Sequence, residues 1–169
     1  GPRRPCGTGR TWGVALAGFE PGAVVVLFGA WDVYDASWDG GATWRAPGDP
    51  EWNRRYEARV GAVQRQLMET GASVLWLAPP CFAAGPGEAD EGREWYDPGR
   101  VGVQRSIAER AAARTGATVS ATIAARECPV DLSSRPDGVH FSDQGADSAT
   151  AALAPELLRA LRGGVPAGG

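Results

Sequence analysis

The stretch Asp49–Pro80, DPEWNRRYEARVGAVQRQLMETGASVLWLAPP, decides the fold. Asp49-Pro50 has the chemistry of a helix start. The aspartate can accept from amide groups of the first turn that lack helical partners, and a proline at the first helical position gives up no helical bond. Trp52, Tyr56, Val60, Val63 and Leu67 then recur at spacings of three and four, which places them on one helical face. Gly71 is a natural stop. Ser73-Val74-Leu75-Trp76-Leu77 follows as a continuous apolar run closed by Pro79-Pro80, the pattern of a strand buried on both faces. A helix feeding directly into a buried strand is half of an alternating α/β unit.

The same alternation extends both ways along the chain. Upstream, Ala23-Val24-Val25-Val26-Leu27-Phe28 reads as another strand buried on both faces, ending at Gly29, and Trp31 to Asp49 reads as a long loop. Downstream, residues 82–96 form a polar, acidic loop, with Glu88 to Glu94 as a solvated run. Asp97-Pro98 repeats the helix-start chemistry, and the helix is expected to run to Thr115 with Gly116 after it. Thr118 to Ile123 reads as a third, weaker strand. A loop from Glu127 to Phe141 leads to a last helix with Ser142 as N-cap and Leu153, Leu157 and Leu161 on its apolar face. Pro155 should kink or interrupt that helix. Residues 1–22 read as an irregular lead-in. The expected organisation is one domain over 1–163 and a disordered tail at 164–169.

Alternating strands and helices imply a parallel sheet with right-handed crossovers, in a flavodoxin-like three-layer α/β/α arrangement. Such sheets bind ligands beyond the carboxyl ends of their strands. Three segments should collect there: Gly29-Ala30-Trp31-Asp32, the Pro79-Pro80-Cys81 corner, and the loop before the last helix.

Composition narrows the function classes. A chain of 169 residues is long enough for one real core, and its 43% hydrophobic and 22% charged residues are ordinary for a globular domain. The net charge of −3 gives no general attraction to nucleic acid. All 17 basic residues are arginine, which with the abundant Ala and Gly reads as codon bias from a GC-rich genome. No apolar stretch approaches the ~20 residues that span a bilayer, and no signal-like segment opens the chain. With one His and no C-x-x-C, neither a metal site nor a cofactor is expected. The three cysteines allow two readings: unrelated buried thiols, or a disulfide between Cys81 and Cys128 with Cys6 paired outside the chain. The second implies an oxidising compartment.

The chemistry is concentrated in Arg135-Pro136-Asp137-Gly138-Val139-His140-Phe141-Ser142. His140, the single histidine, lies three residues after Asp137, so a turn through Gly138 can return the carboxylate to the imidazole Nδ1. Asp137 would then fix the tautomer, leaving Nε2 free to take a proton from a hydroxyl nucleophile. A partly buried histidine that caps a helix or bonds a carbonyl is the other reading of the same spacing.

Asp137-Gly-Val-His140-Phe-Ser, with the helix start and Leu-Ala-Pro that follow, resembles the last block of SGNH (GDSL-like) hydrolases. The resemblance is closest to SGNH domains fused to membrane acyltransferases that O-acetylate glycans. Val25 to Asp32 is similar to the strand and third block of that subgroup, Val74 to Cys81 to its next strand, and Cys128-Pro129 precedes the final block as it does there. The resemblance implies an acyl-ester hydrolase or O-acyltransferase with a Ser-His-Asp triad, acting on acetyl groups of carbohydrate. It also implies an extracytoplasmic location and a fusion to an upstream membrane acyltransferase domain. The substrate would be an acyl ester or glycan, with no nucleic-acid partner.

Two departures qualify it. In the wider family the third block is Gly-x-Asn-Asp, with the Asn donating to the oxyanion. Here Gly29-Ala30-Trp31-Asp32 places Trp31 at that position, so a carbonyl oxyanion needs other donors, such as backbone N–H groups. Gly29, Trp31 and Asp32 remain the expected oxyanion and substrate pocket, Trp31 through stacking or its indole N–H and Asp32 as a brace. The second departure is the Gly-Asp-Ser block that carries the family nucleophile, which belongs upstream of residue 1. The fold is therefore expected to be incomplete at its N-terminus. Trp31, Trp38 and Trp44 read either as sugar-stacking aromatics or as local core. A degenerate module that binds glycan or a partner without chemistry, and an unrelated flavodoxin-like binding domain, are the competing readings.

Overall fold

The computed structural model describes residues 19–27, 30–87 and 94–163. Gly29, Cys6 and the 164–169 tail lie outside them. Among the described residues the sheet has 3 strands in the order β1 (Ala23–Leu27), β2 (Ser73–Leu77), β3 (Thr118–Ser120), all parallel. Val25 is in register with Leu75, and Leu75 with Thr118. The helices are α1 (Pro50–Met68), α2 (Pro98–Thr115), α3 (Thr122–Arg126) and α4 (Asp143–Gly163), with short 3-10 turns at Ala30–Val33 and Glu94–Tyr96.

Local chemistry sets the two long crossover helices. Asp49 accepts from the N–H groups of Glu51 (2.8 Å) and Trp52 (3.1 Å), and Pro50 opens α1. Asp97 accepts from Gly99 N–H at 2.8 Å ahead of Pro98. Gly116 ends α2 in the left-handed region at φ 86°, returning its N–H to the carbonyl of Ala112. A side chain there would have to adopt a backbone conformation that only glycine takes freely.

Because side chains alternate across a strand, the sheet divides the core in two. Val74 and Trp76 pack with Trp52, Val60 and Leu67 of α1 and Ile107, Ala108 and Ala111 of α2, while Val24 and Val26 lie against the same cluster. On the opposite face Leu75 and Leu77 pack with Ile123 of α3 and Ala149 and Leu153 of α4. Helices on both faces of a parallel sheet make a three-layer α/β/α fold, and three parallel strands are a partial version of the flavodoxin-like arrangement.

Three expectations need correction. β1 is not buried on both faces: Val25 is 46% and Leu27 55% exposed. The cluster under α4 includes Leu75 and Leu77 of β2 but neither of these neighbours, so α4 covers the central strand and stops short of β1. β3 ends at Ser120, and Ile123 belongs to α3. The Ser120 hydroxyl accepts from Thr122 N–H at 3.2 Å, which turns the chain into that helix and still delivers Ile123 to the core. Pro155 does not interrupt α4, which runs from Asp143 to Gly163. Pro155 and Ala151 are both exposed, so water can reach the Ala151 carbonyl that loses its helical partner. The loop expected over residues 31–49 also carries local order, with Ala36 and Arg45 exchanging antiparallel backbone bonds of 2.9 and 3.0 Å.

The two-sided core makes unequal demands on its leucine-sized side chains. Ile107→Ala, at a fully buried position, is expected to destabilise by about 2–5 kcal/mol. Leu158→Ala, at an exposed position on α4, should stay within about 0.5 kcal/mol. Urea unfolding monitored by tryptophan fluorescence measures both, and equal losses would contradict the core assignment.

Candidate active site at the carboxyl edge of the sheet

The carboxyl ends of β1 and β2 lead into the 30–33 turn and the Pro79-Pro80-Cys81 corner, and a third core cluster joins these segments. Ala30, Val33, Phe82 and Val101 are its buried members, and Val139, the residue before His140, packs against it. The turn that carries Asp137 and His140 is thereby seated at this edge.

The turn itself is built from backbone bonds. Ser134 and Arg135 donate to the Asp131 carbonyl at 3.1 and 2.9 Å, and Gly138 donates to the Arg135 carbonyl at 2.8 Å. Gly138 has φ +74°, and a Cβ there would fall 2.0 Å from the Ala83 carbonyl oxygen. Ala83 N–H in turn donates to the Gly138 carbonyl at 3.2 Å. Only glycine satisfies both the backbone angle and this approach. Beyond the turn, Ser142 caps α4, its hydroxyl accepting from Gly145 N–H at 3.2 Å.

Asp137 and His140 come together. Asp137 Oδ1 accepts from the backbone N–H of Val139 (2.9 Å) and of His140 (2.6 Å), and Oδ2 lies 2.7 Å from His140 Nδ1. The imidazole bond, followed by those of the His140 and Val139 amides, holds the Asp137 carboxyl well below the usual carboxylate range. With Nδ1 tied to the carboxylate, Nε2 is the atom available to accept a proton. Among the described residues nothing hydrogen-bonds Nε2. The His140 side chain is 81% exposed and that of Asp137 56%, so the pair lies open at the surface.

Of the other expected site residues, Trp31 and Asp32 lie in the 30–33 turn, and among the described residues no hydrogen bond joins them to this pair. Trp31 is 59% exposed and stacks on Tyr34, with ring centroids 5.7 Å apart. Burial pushes the Asp32 carboxyl up and the Arg59 charge pulls it down, while its own charge helps burial to raise the Tyr56 hydroxyl. Trp38 and Trp44 are exposed. Cys81 and Cys128 form a disulfide with a Cα separation of 5.2 Å. Among the described residues no group of His, Cys, Asp and Glu could hold a metal ion, and no helix is long and apolar enough to cross a membrane.

Two arginines escaped the sequence reading. Arg105 donates through Nε to the Pro79 carbonyl at 2.7 Å and through Nη2 to Cys128 Sγ at 3.1 Å. Arg135 is completely buried, and bonds the carbonyls of Cys81 and Val139. No periodic pattern marks a buried arginine inside a loop, and arginine is ordinarily a surface residue.

The family described as "Protein of unknown function (DUF459)" matches residues 10–90, which include β1 and β2 and end before the Asp137–His140 turn. No curated protein matches the chain. Among solved structures, the lipase/acylhydrolase from Enterococcus faecalis matches 86% of this chain and 66% of its own at 20% identity, with a TM-score of 0.54. LAE5, an alpha/beta hydrolase enzyme from the metagenome of Lake Arreo, Spain, matches 92% of this chain and 66% of its own at 18% identity, also with a TM-score of 0.54. The chain thus spans 66% of the length of each of these hydrolases. At such identities the likeness establishes a shared fold alone, of which this chain is a partial three-layer α/β/α version.

The bonding of Asp137 carries a pH dependence. Its folded-state pKa is depressed, so its contribution to stability is present above the unfolded value of about 3.9 and is lost as pH falls through the folded value. Asp137→Asn should be less stable than the parent chain at pH 7, and the gap should shrink below about pH 4. Urea midpoints at pH 7 and pH 3 measure it; a gap unchanged by pH would remove the carboxylate from the turn's stability.

Proposed function

We propose that this chain is the base-bearing part of an acyl-ester hydrolase or O-acyltransferase. Asp137 orients His140, which takes a proton from a serine supplied by sequence upstream of Gly1. The observation that carries the reading is the 2.7 Å contact between Asp137 Oδ2 and His140 Nδ1 at the carboxyl edge of the parallel sheet, with Nε2 unbonded among the described residues. The fold shared with a lipase/acylhydrolase and an alpha/beta hydrolase supports it.

In the proposed reaction the serine oxygen attacks the ester carbonyl carbon as its proton passes to Nε2. The tetrahedral species collapses by breaking the bond to the leaving alkoxide, which takes the proton back from Nε2. Asp137 keeps its negative charge throughout and stabilises the imidazolium. Water, or a sugar hydroxyl, then repeats the sequence on the acyl-serine, giving hydrolysis or transfer. Trp31 offers no side-chain amide to the oxyanion, so backbone N–H groups are assigned that task.

An acetyl ester of carbohydrate is the proposed substrate. Exposed Trp31, Trp38 and Trp44 offer apolar faces to sugar C–H groups. The Cys81–Cys128 disulfide suits an extracytoplasmic, oxidising location, and a membrane acyltransferase fused upstream would fit both. A non-catalytic glycan- or partner-binding module is the second reading, favoured by the openness of His140 to solvent.

Turnover of p-nitrophenyl acetate tests the proposal in three proteins: this chain, the parent polypeptide with its upstream sequence, and the parent carrying His140→Ala. This chain should be inactive and the parent active, and His140→Ala should lower kcat by several orders of magnitude. Robust turnover by this chain, or an active parent indifferent to His140→Ala, would sink the triad. A parent inactive towards acetyl esters that still binds acetylated glycan would favour the binding module.

A further inference from the structure

We propose that Arg135 is a positioning residue for His140: its buried guanidinium ties the carbonyl that precedes the imidazole to the carbonyl of Cys81. This deepens the proposed function and rests on the Asp137–His140 pairing described above.

The geometry is that of a strut. Arg135 Nε and Nη2 both donate to the Val139 carbonyl, at 3.2 and 3.1 Å, and Nη1 donates to the Cys81 carbonyl. The guanidinium carbon lies 5.3 Å from the ring centroid of Phe82 and 5.3 Å from that of Phe141. One planar cation therefore spans two loops and is flanked by an aromatic residue from each. The Cys81 end is itself fixed, by the disulfide to Cys128 and by Arg105, which holds the Pro79 carbonyl. The Val139 end is the peptide that leads into His140.

The arrangement is an expensive way to fill a core. Arg135 is 0% exposed, and although the charges of Glu127 and Asp137 act on it, its hydrogen bonds among the described residues go to carbonyls and none to a carboxylate. Burying a cation without a directly bonded carboxylate carries a desolvation penalty that an apolar side chain of similar size avoids. What arginine alone supplies is a rigid fork whose donors reach two carbonyls at once. Lysine keeps the charge and most of the stem but has a single nitrogen. Methionine keeps the length and loses the donors.

His140 is the single histidine of the chain, so nitrogen-15 NMR of the imidazole reports this site without overlap. At a pH where the ring is neutral, this chain with Arg135 intact should show the proton on Nδ1, bonded to Asp137. In Arg135→Lys and Arg135→Met the population should shift towards the Nε2–H form, with loss of the Nδ1–H resonance, while circular dichroism and cooperative unfolding remain. A filler of the core would leave the tautomer unmoved in a folded variant, and that result overturns the proposal. Failure of both variants to fold would assign Arg135 to general stability and overturn it equally. A spectrum already mixed between tautomers in the chain with Arg135 intact would instead remove the pairing beneath the strut and the proposed function with it. Lack of ester turnover alone, with these spectra as expected, would count against the activity and leave the strut standing.

Discussion

The corner after β2 is the constraint on which the site depends. Pro79 and Cys81 each give a carbonyl to an arginine, Arg105 and Arg135 respectively, and Cys81 is bonded to Cys128 across a sequence separation of 47. The chain that leaves this corner runs against the Asp137–His140 turn so closely that position 138 has no room for a Cβ. β2 is the middle strand, with parallel neighbours on both sides and helices on both faces. The strand packed on both faces thus leads into the corner against which the imidazole turn is set. A general base needs a fixed setting, because proton transfer depends on the position of one ring nitrogen to within fractions of an ångström.

The signals legible in the sequence were those that act over a few residues. Asp49-Pro50 and Asp97-Pro98 announce helix starts through bonds to amides two and three positions ahead, and both caps form. The β2 run announces a strand buried on both faces, and that strand has helices on each side. The spacing of Asp137 and His140 allowed a pair, because a turn of three residues can close on itself, and the resemblance to the last SGNH block favoured it over a capping histidine. The 2.7 Å contact is a local event that needs little from the rest of the chain.

What the sequence did not convey depended on partners far along the chain. Val25 and Leu27 look as apolar as Leu75 and Leu77, yet only the second pair lies under α4, and nothing within β1 records where that helix crosses. Ile123 was apolar enough for a strand, but the Ser120 hydroxyl turns the chain before it. Arg135 reads as one more surface arginine among 17 basic residues, and its burial follows from two carbonyls and two aromatic rings brought together by separate loops. Trp31 occupies a position where an amide donor was to be expected from the resemblance, and its ring goes to Tyr34 instead.

The Asp137–His140 pair has its orienting carboxylate in place, and among the described residues its outer nitrogen is open. In a working triad that nitrogen meets a hydroxyl in a site shielded from water. The most direct measurement is therefore the structure of the parent polypeptide, read at one distance: from His140 Nε2 to the nearest serine oxygen contributed by the upstream sequence. The account predicts a separation within hydrogen-bond reach, about 2.6–3.2 Å, with Asp137 still on Nδ1. A serine placed elsewhere, with Nε2 facing solvent or packed against carbon, would contradict it.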